Sequence, residues 1–148
     1  MQLSVGADER LRVVEVVLDY LAEKGHQVTW YGPEAGKTEP WPEIARRVAE
    51  DVVNGRAEEG ILFCWTGTGV SMAANKVPGV RAALCADAET ARGARLWNNA
   101  NILCLSMRAT SEVVAKEILD QWFATSYQSN PTDDACLTQM EALDHARS

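Results

Sequence analysis

Short apolar runs alternate with apolar positions at helical spacing along most of the chain. Runs rich in β-branched or aromatic residues predict five strands, at residues 2–5, 27–31, 61–64, 80–85 and 101–105. Apolar residues three and four apart predict helices over residues 9–24, 43–54, 70–75, 88–97 and 111–124. This alternation predicts an α/β fold with a three-layer, doubly wound, five-stranded parallel sheet of Rossmann-like architecture.

The pattern weakens after Thr125. Residues 126–134 are polar, and Leu137, Met140 and Leu143 give only weak helical spacing over residues 136–145. We therefore expect an α/β domain over residues 1–125 and a C-terminal tail over residues 126–148. The tail helix is expected to pack on a partner subunit.

Composition and charge narrow the function classes. The 148 residues carry a net charge of -7, which disfavours nucleic acid and anionic membrane surfaces as partners because both attract basic patches. No apolar run reaches the length of a transmembrane helix, and residues 1–8 lack the features of a signal peptide, so we expect a cytoplasmic protein. The cysteines form no C-x-x-C pair, so a zinc site is disfavoured, and Cys85 and Cys104 are expected to be buried free thiols.

Residues 60–76 carry the strongest candidate chemistry. A predicted strand ends in a loop that contains Gly67 and Gly69, and a predicted helix follows. This arrangement directs free backbone N–H groups toward an anion, with the Cys64 thiol and the Thr66 hydroxyl at the mouth of the loop. In an open parallel sheet, ligands bind at the carboxyl ends of the strands. We expect that edge to collect residues 6–9, 64–69, 87 and 107–108.

Known nucleotide-binding loops do not fit this stretch. A Walker loop needs Gly-Lys followed by Ser or Thr, and a dinucleotide fingerprint needs a third glycine in register. From the residues alone, two interpretations stay open: a small-anion or nucleotide-binding module without chemistry, and a Cys64 that is simply a buried thiol at a strand end.

A longer motif resembles the ribose-5-phosphate isomerase type B family, which also contains the galactose-6-phosphate isomerase subunits. The resemblance covers residues 1–125 and is densest over residues 64–83, which read Cys-x-Thr-Gly-x-Gly-x-Ser-x-Ala-Ala-Asn-Lys-Val-Pro-Gly-Val-Arg-Ala-Ala. Further matches are Gly6, Asp8, Asp87, residues 90–92, Asn98, residues 100–101 and Arg108.

The resemblance implies an aldose–ketose isomerase that acts on a sugar or sugar phosphate through a cis-enediol intermediate, without a metal or organic cofactor. It implies that Cys64 is the base, that Thr66 moves protons between the two substrate oxygens, and that loop amides stabilise the enediolate. A strand end that faces a helix N-terminus favours the thiolate form that a base requires. The resemblance also implies a homodimer or tetramer whose active site is completed by the neighbouring chain. The implied substrate-binding residues are Asp8, Trp65, Gly67, Thr68, Gly69, Trp97, Asn98 and Arg108.

Several positions depart from the family pattern. Glu9 and Trp97 replace two histidines, of which the first helps to bind phosphate and the second opens the sugar ring. Indole has no basic lone pair, so it cannot open a ring by proton transfer. Residues 126–140 contain no Arg, Lys or His where the family has phosphate-binding cations, and Trp65 replaces a glycine. We therefore expect a substrate other than cyclic ribose 5-phosphate, such as an open-chain tetrulose phosphate or an unphosphorylated ketose.

Two alternatives to an active enzyme follow from the same features. The altered residue 97 and the altered tail are compatible with a non-catalytic partner subunit of an isomerase complex. The glycine loop alone is compatible with the small-anion-binding module. Turnover by the purified chain eliminates the first alternative, and a thermal-shift response to nucleotides only would favour the second.

Overall fold

The computed structural model describes residues 1–146, and its centre is a five-stranded sheet. The strands are β1 (Gln2–Ala7), β2 (Gln27–Tyr31), β3 (Glu59–Cys64), β4 (Ala82–Leu84) and β5 (Ile102–Ser106). They are all parallel and lie in the order β2-β1-β3-β5-β4. The predicted fold class is therefore confirmed, and β3, which is buried along its whole length, is the central strand.

Helices cover both faces of this sheet. They are α1 (Arg12–Glu23), α2 (Trp41–Val53), α3 (Thr68–Ala74), α4 (Ala88–Leu96) and α5 (Glu112–Ala124), followed by α6 (Pro131–His145). Buried residues of α1, α4 and α5 form one core cluster with the sheet, and those of α2 and α3 form the other. No residue of α6 is buried. Within residues 1–146, every helix is too short or too polar to cross a membrane.

Several predicted boundaries were wrong by one or more residues, and three of them have an identifiable cause. Helix α1 begins at Arg12 rather than at residue 9, since Glu9 pairs with Thr38 in an isolated antiparallel bridge. Strand β4 is shorter than predicted, since the Arg81 N–H donates to the side chain of Asn101 instead of joining the strand ladder. Helix α6 begins five residues earlier than predicted, where Asn130 accepts a hydrogen bond from a backbone N–H of the first turn.

A buried polar network fixes the amino edge of the sheet, where the strands begin. Glu59 at the start of β3 pairs with Arg95 at 3.1 Å and accepts a hydrogen bond from the Trp122 indole at 2.6 Å. Arg95 also donates to the carbonyl groups of Ala100 and Thr125. The ends of α4 and α5 are thereby held against the first residue of the central strand, which leaves the opposite edge free to form a site.

Candidate active site

The loop after β3 lies directly on the neighbouring strands. Gly67 has a positive φ of 76°, a conformation that L side chains rarely adopt. A Cβ atom at this position would lie 2.5 Å from Leu84 and 3.0 Å from the backbone of Leu105. The glycine is therefore required both for the turn and for the close packing of the loop on β4 and β5.

Hydrogen bonds extend the pairing of β3 and β5 into this loop. The Met107 N–H donates to the Cys64 carbonyl at 3.0 Å, and the Arg108 N–H donates to the Trp65 carbonyl at 2.9 Å. The Ser106 hydroxyl also donates to the Trp65 carbonyl, at 3.0 Å. The loop backbone is thus held in place before any ligand binds.

Cys64 and Asp8 end neighbouring strands. The last register pair of β1 and β3 is Ala7 with Phe63, so Asp8, directly after β1, and Cys64, the last residue of β3, follow this pair at the same end of the sheet. Cys64 is a free thiol, 5% exposed, packed in the core cluster on the α2 and α3 side. One carboxylate oxygen of Asp8 is buried without a hydrogen-bond partner within the described chain. Desolvation raises the pKa of Asp8, and the nearby charge of Glu9 acts in the same direction.

Two threonine hydroxyls and an arginine lie on the other side of the loop. The Thr66 and Thr68 hydroxyl oxygens are 2.7 Å apart, within hydrogen-bond distance. Thr66, Ser106 and Arg108 line a cavity of about 250 Å³ at the ends of β4 and β5. The Arg108 guanidinium forms no ion pair within residues 1–146, which leaves its charge available to an anion.

The segment between β2 and α2 forms a wall beside these residues. The Glu39 N–H donates to the Asp8 carbonyl at 2.9 Å, next to the bridge of Glu9 with Thr38. The Trp41 ring lies close to Gly69, since a Cβ atom there would be 3.1 Å from the ring. The Trp65 side chain, in the loop after β3, is 54% exposed. A ligand above Cys64 would therefore meet an aromatic surface and the ends of three strands.

The predicted site residues fall into two groups. The carboxyl edge brings together Asp8, Cys64, the loop residues Trp65, Thr66, Gly67, Thr68 and Gly69, and Arg108, as the ends of parallel strands should. Trp97 and Asn98 lie instead at the amino edge, between the end of α4 and the start of β5. The five residues of β5 separate the two edges by roughly 15 Å. Within one chain, these two residues therefore do not share a site with Cys64.

Trp97 nevertheless has a defined position. Its ring rests on the backbone of Gly93, where a Cβ atom would lie 2.8 Å from the indole, and the Arg92 guanidinium lies 5.6 Å from the ring centroid. The side chain is still 51% exposed.

Neither histidine replaces those that the resemblance led us to seek. His26 contacts the N-terminal amine and stacks on Phe123 at the amino edge. His145 ends α6, next to Asp144, which binds the Gly79 N–H before β4. The cations near Asp8 are also engaged, because Arg10 pairs with Glu15 and Arg12 with Glu112.

The expected buried thiols are confirmed. Cys85 and Cys104 are almost fully buried and free. Burial raises the pKa of Cys85 to about 12, with a further contribution from the charge of Asp87. Burial also raises the pKa of Cys104. Both thiols therefore stay neutral at physiological pH and are poor nucleophiles.

A second, larger cavity lies away from this loop. It has about 690 Å³ and lies between α6 and residues 79–83 and 98–100, with Asp134, Glu141 and Asp144 on its wall. Among residues 1–146, three carboxylates and a single cation, Arg81, line this cavity, which makes it a poor place for a phosphate. Cavity size alone therefore does not locate the candidate site. Among residues 1–146, no group of three or more His, Cys, Asp or Glu side chains could hold a metal ion.

Sequence reasoning missed two contributors to the site. Ser106 follows the predicted fifth strand directly, so the rule that ligands bind at strand ends could have found it. No sequence pattern near Thr38 indicated its role, because its bridge with Glu9 forms only when the segment between β2 and α2 folds back onto the end of β1.

Comparisons with known proteins agree on one family. Residues 3–137 match the sequence model of the family described as Ribose/Galactose Isomerase. A D-erythrulose-4-phosphate isomerase of Pectobacterium atrosepticum is 35% identical over 130 residues, which is 86% of each chain. A galactose-6-phosphate isomerase subunit of Clostridium acetobutylicum is 32% identical over 97% of this chain and 83% of its own. The solved structure of ribose-5-phosphate isomerase B from Clostridium thermocellum is 32% identical, with a TM-score of 0.95 over 100% of both chains.

Proposed function

Because the chain belongs to the ribose/galactose isomerase family, whose resemblance was visible in the sequence, we propose that it interconverts a four-carbon ketose phosphate and the corresponding aldose phosphate. The reaction is an intramolecular oxidation and reduction through a cis-enediol. The substrate proposed is of the D-erythrulose 4-phosphate type.

One observation supports the choice of substrate: both histidines lie away from the carboxyl edge, where the proposed proton-transfer residues Cys64 and Thr66 are. A cyclic sugar must be opened by proton transfer before it can enolise. A four-carbon ketose phosphorylated on its terminal oxygen has no free hydroxyl that could close a five-membered ring. It therefore needs no ring-opening histidine. The similarity to a D-erythrulose-4-phosphate isomerase supports the same choice.

The proposed reaction uses Cys64 and Thr66 in turn. The Cys64 thiolate takes a proton from the hydroxymethyl carbon next to the carbonyl, which forms the enediolate. Thr66 moves the hydroxyl proton from the first oxygen to the second. The Cys64 thiol then returns its proton to the second carbon, which gives the aldose and restores the thiolate. In this proposal, N–H groups of the loop backbone stabilise the developing negative charge on oxygen, and the hydrogen bonds of the loop with β5 support this role.

Arg108 is the proposed phosphate contact. It lines the same cavity as Thr66 and has no carboxylate partner within the described chain. Asp8, which follows β1 and has one buried oxygen without a partner within the described chain, is proposed to bind a substrate hydroxyl.

We also propose a homodimer, with Trp97 and Asn98 delivered to the partner's site and the tail, including α6, packed on the partner. Three exposed apolar side chains support an interface around the edge strand β4: Met72 on α3, Leu84 on β4 and Trp97 after α4. Helix α6 buries none of its own residues. A second chain would cover these surfaces and bring the two halves of the predicted site together.

The experiment is a substrate comparison on the purified chain, with D-erythrulose 4-phosphate, unphosphorylated D-erythrulose and D-ribose 5-phosphate. We expect kcat/KM to be highest for D-erythrulose 4-phosphate. Faster turnover of ribose 5-phosphate would contradict the proposed substrate, and equal turnover of unphosphorylated erythrulose would contradict the phosphate contact.

A second candidate is a partner subunit that is inactive alone. The similarity to a galactose-6-phosphate isomerase subunit over 97% of the chain favours it. The same experiment separates the two, because this candidate predicts no turnover of any substrate by the chain alone.

A further inference from the structure

We propose that Thr68 is a positioning residue for the proton transfer between the substrate oxygens, and that it acts by donating its hydroxyl proton to the neighbouring hydroxyl of Thr66. The inference rests on the isomerase reaction proposed above. It adds the Thr68 hydroxyl to the proton path and specifies that the hydrogen bond runs from Thr68 as donor to Thr66 as acceptor.

The chemistry sets what Thr66 must offer. To move a proton between adjacent oxygens, its hydroxyl accepts a proton from one oxygen and donates its own to the other. A threonine hydroxyl has one proton and two lone pairs. If Thr66 donated to another protein group, it would have no proton left for the substrate. If it accepts from one, it keeps one proton and one lone pair, which is what the transfer requires.

Thr68 is placed to be that donor. Its hydroxyl oxygen lies 2.7 Å from that of Thr66, at the usual length of a hydroxyl–hydroxyl bond. Both side chains are exposed at the mouth of the loop, and within residues 1–146 neither hydroxyl has another hydrogen-bond partner. With Thr68 as donor, the remaining proton and lone pair of Thr66 stay available to a ligand in the cavity that Thr66 lines with Arg108.

The loop backbone makes this pair rigid. Gly67, between the two threonines, is in the left-handed conformation and packs on Leu84 and Leu105. Gly69, on the other side of Thr68, packs against Trp41. A hydroxyl pair held between two such contacts is oriented before the substrate arrives, and this lowers the barrier for a transfer that depends on geometry.

The test compares Thr68→Val, which keeps the shape and removes the hydroxyl, with Thr68→Ser, which keeps the hydroxyl. For D-erythrulose 4-phosphate we expect Thr68→Val to lower kcat by roughly 10- to 100-fold with KM nearly unchanged, since a positioned proton-transfer group contributes at least this much. Thr68→Ser should retain most of the wild-type kcat.

A second readout separates positioning from simple structural damage. In heavy water, Thr68→Val should still exchange the carbon-bound proton through Cys64 while completing fewer turnovers, so the ratio of deuterium incorporation to product formation should rise. A wild-type kcat and ratio in Thr68→Val would overturn the inference, as would equal damage in Thr68→Ser. A raised KM with unchanged kcat would also overturn it, because Thr68 would then only bind substrate. If the unmutated chain neither exchanges nor turns over the substrate, the proposed function itself fails.

Discussion

At the carboxyl edge, the side chains of Asp8 and Arg108 have polar atoms that are not paired within the described chain. One oxygen of Asp8 is buried without a partner, and Arg108 has no carboxylate nearby in the described chain. At the amino edge, by contrast, both oxygens of Glu59 are bonded, to Arg95 and to Trp122. Buried polar groups in folded proteins are nearly always satisfied, so the open buried oxygen of Asp8 indicates a ligand there.

The absence of an ion pair at Arg108 within the described chain leads to a prediction about phosphate binding. We expect Arg108→Ala to raise KM for D-erythrulose 4-phosphate by about tenfold to a hundredfold, because charge-assisted hydrogen bonds to phosphate are the strong ones. Steady-state kinetics with phosphorylated and unphosphorylated erythrulose would measure it. Arg12→Ala is the matched control, since Arg12 is exposed and paired with Glu112. Equal effects of Arg108→Ala on both substrates would contradict a phosphate contact.

For the helices and strands, the periodicity of apolar residues along the sequence predicted most of the elements that the structure contains. The bounds of β2 agree with the prediction, and β1, β3 and β5 differ from it by at most two residues at either end. The predicted start of α1 was wrong because Glu9 pairs with a distant residue, Thr38. The predicted start of α6 was wrong because the helix cap at Asn130 was overlooked. The Asn130-Pro131 pair is a recognisable helix start, but the polar composition of residues 126–134 led to its prediction as irregular chain.

The amino-edge network links three elements and carries a pH dependence. Burial raises the pKa of Glu59, and attraction to Arg95 and the Trp122 hydrogen bond offset this only in part. The folded chain therefore holds the Glu59 proton more tightly than the unfolded chain does. Its contribution to stability is fully present below the unfolded pKa, and it is lost as the pH rises through the raised folded pKa.

We therefore expect the unfolding free energy of the wild type to fall relative to that of Glu59→Gln as the pH rises from about 4.5 toward neutrality. Urea unfolding of both proteins across this range would measure the difference. The control Glu58→Gln removes one negative charge from an exposed neighbour. A difference that grows in favour of the wild type with rising pH would show instead that the pairing with Arg95 outweighs desolvation.

At the scale of the whole molecule, topology explains which part of the site could be predicted. Residues that follow strands, such as Asp8, Cys64 and Arg108, must meet at one edge of a parallel sheet. Trp97 and Asn98 follow a helix that returns to the other edge, so their place in the site, which the resemblance implied, stays a prediction and is not met within one chain. In the proposed homodimer, a second chain would bring them to the site, and a single sequence does not describe that arrangement.

The assembly proposal can be tested with two exposed apolar residues. Met72 on α3 is 62% exposed beside the β4 edge, and Val113 on α5 is 67% exposed away from it. We expect Met72→Asp to convert a dimer into a monomer with little turnover, because a buried unpaired carboxylate is costly in an interface. Val113→Asp should remain dimeric and active. Sedimentation combined with activity assays would decide, and a fully active wild-type monomer would contradict the proposal.

The most direct test of the account is deuterium incorporation from heavy water into D-erythrulose 4-phosphate, with the wild type compared with Cys64→Ala. We predict rapid labelling of the carbon next to the carbonyl by the wild type and a loss of about a hundredfold or more in the variant, since Cys64 is the proposed base. Labelling at the wild-type rate by a folded Cys64→Ala variant would contradict it.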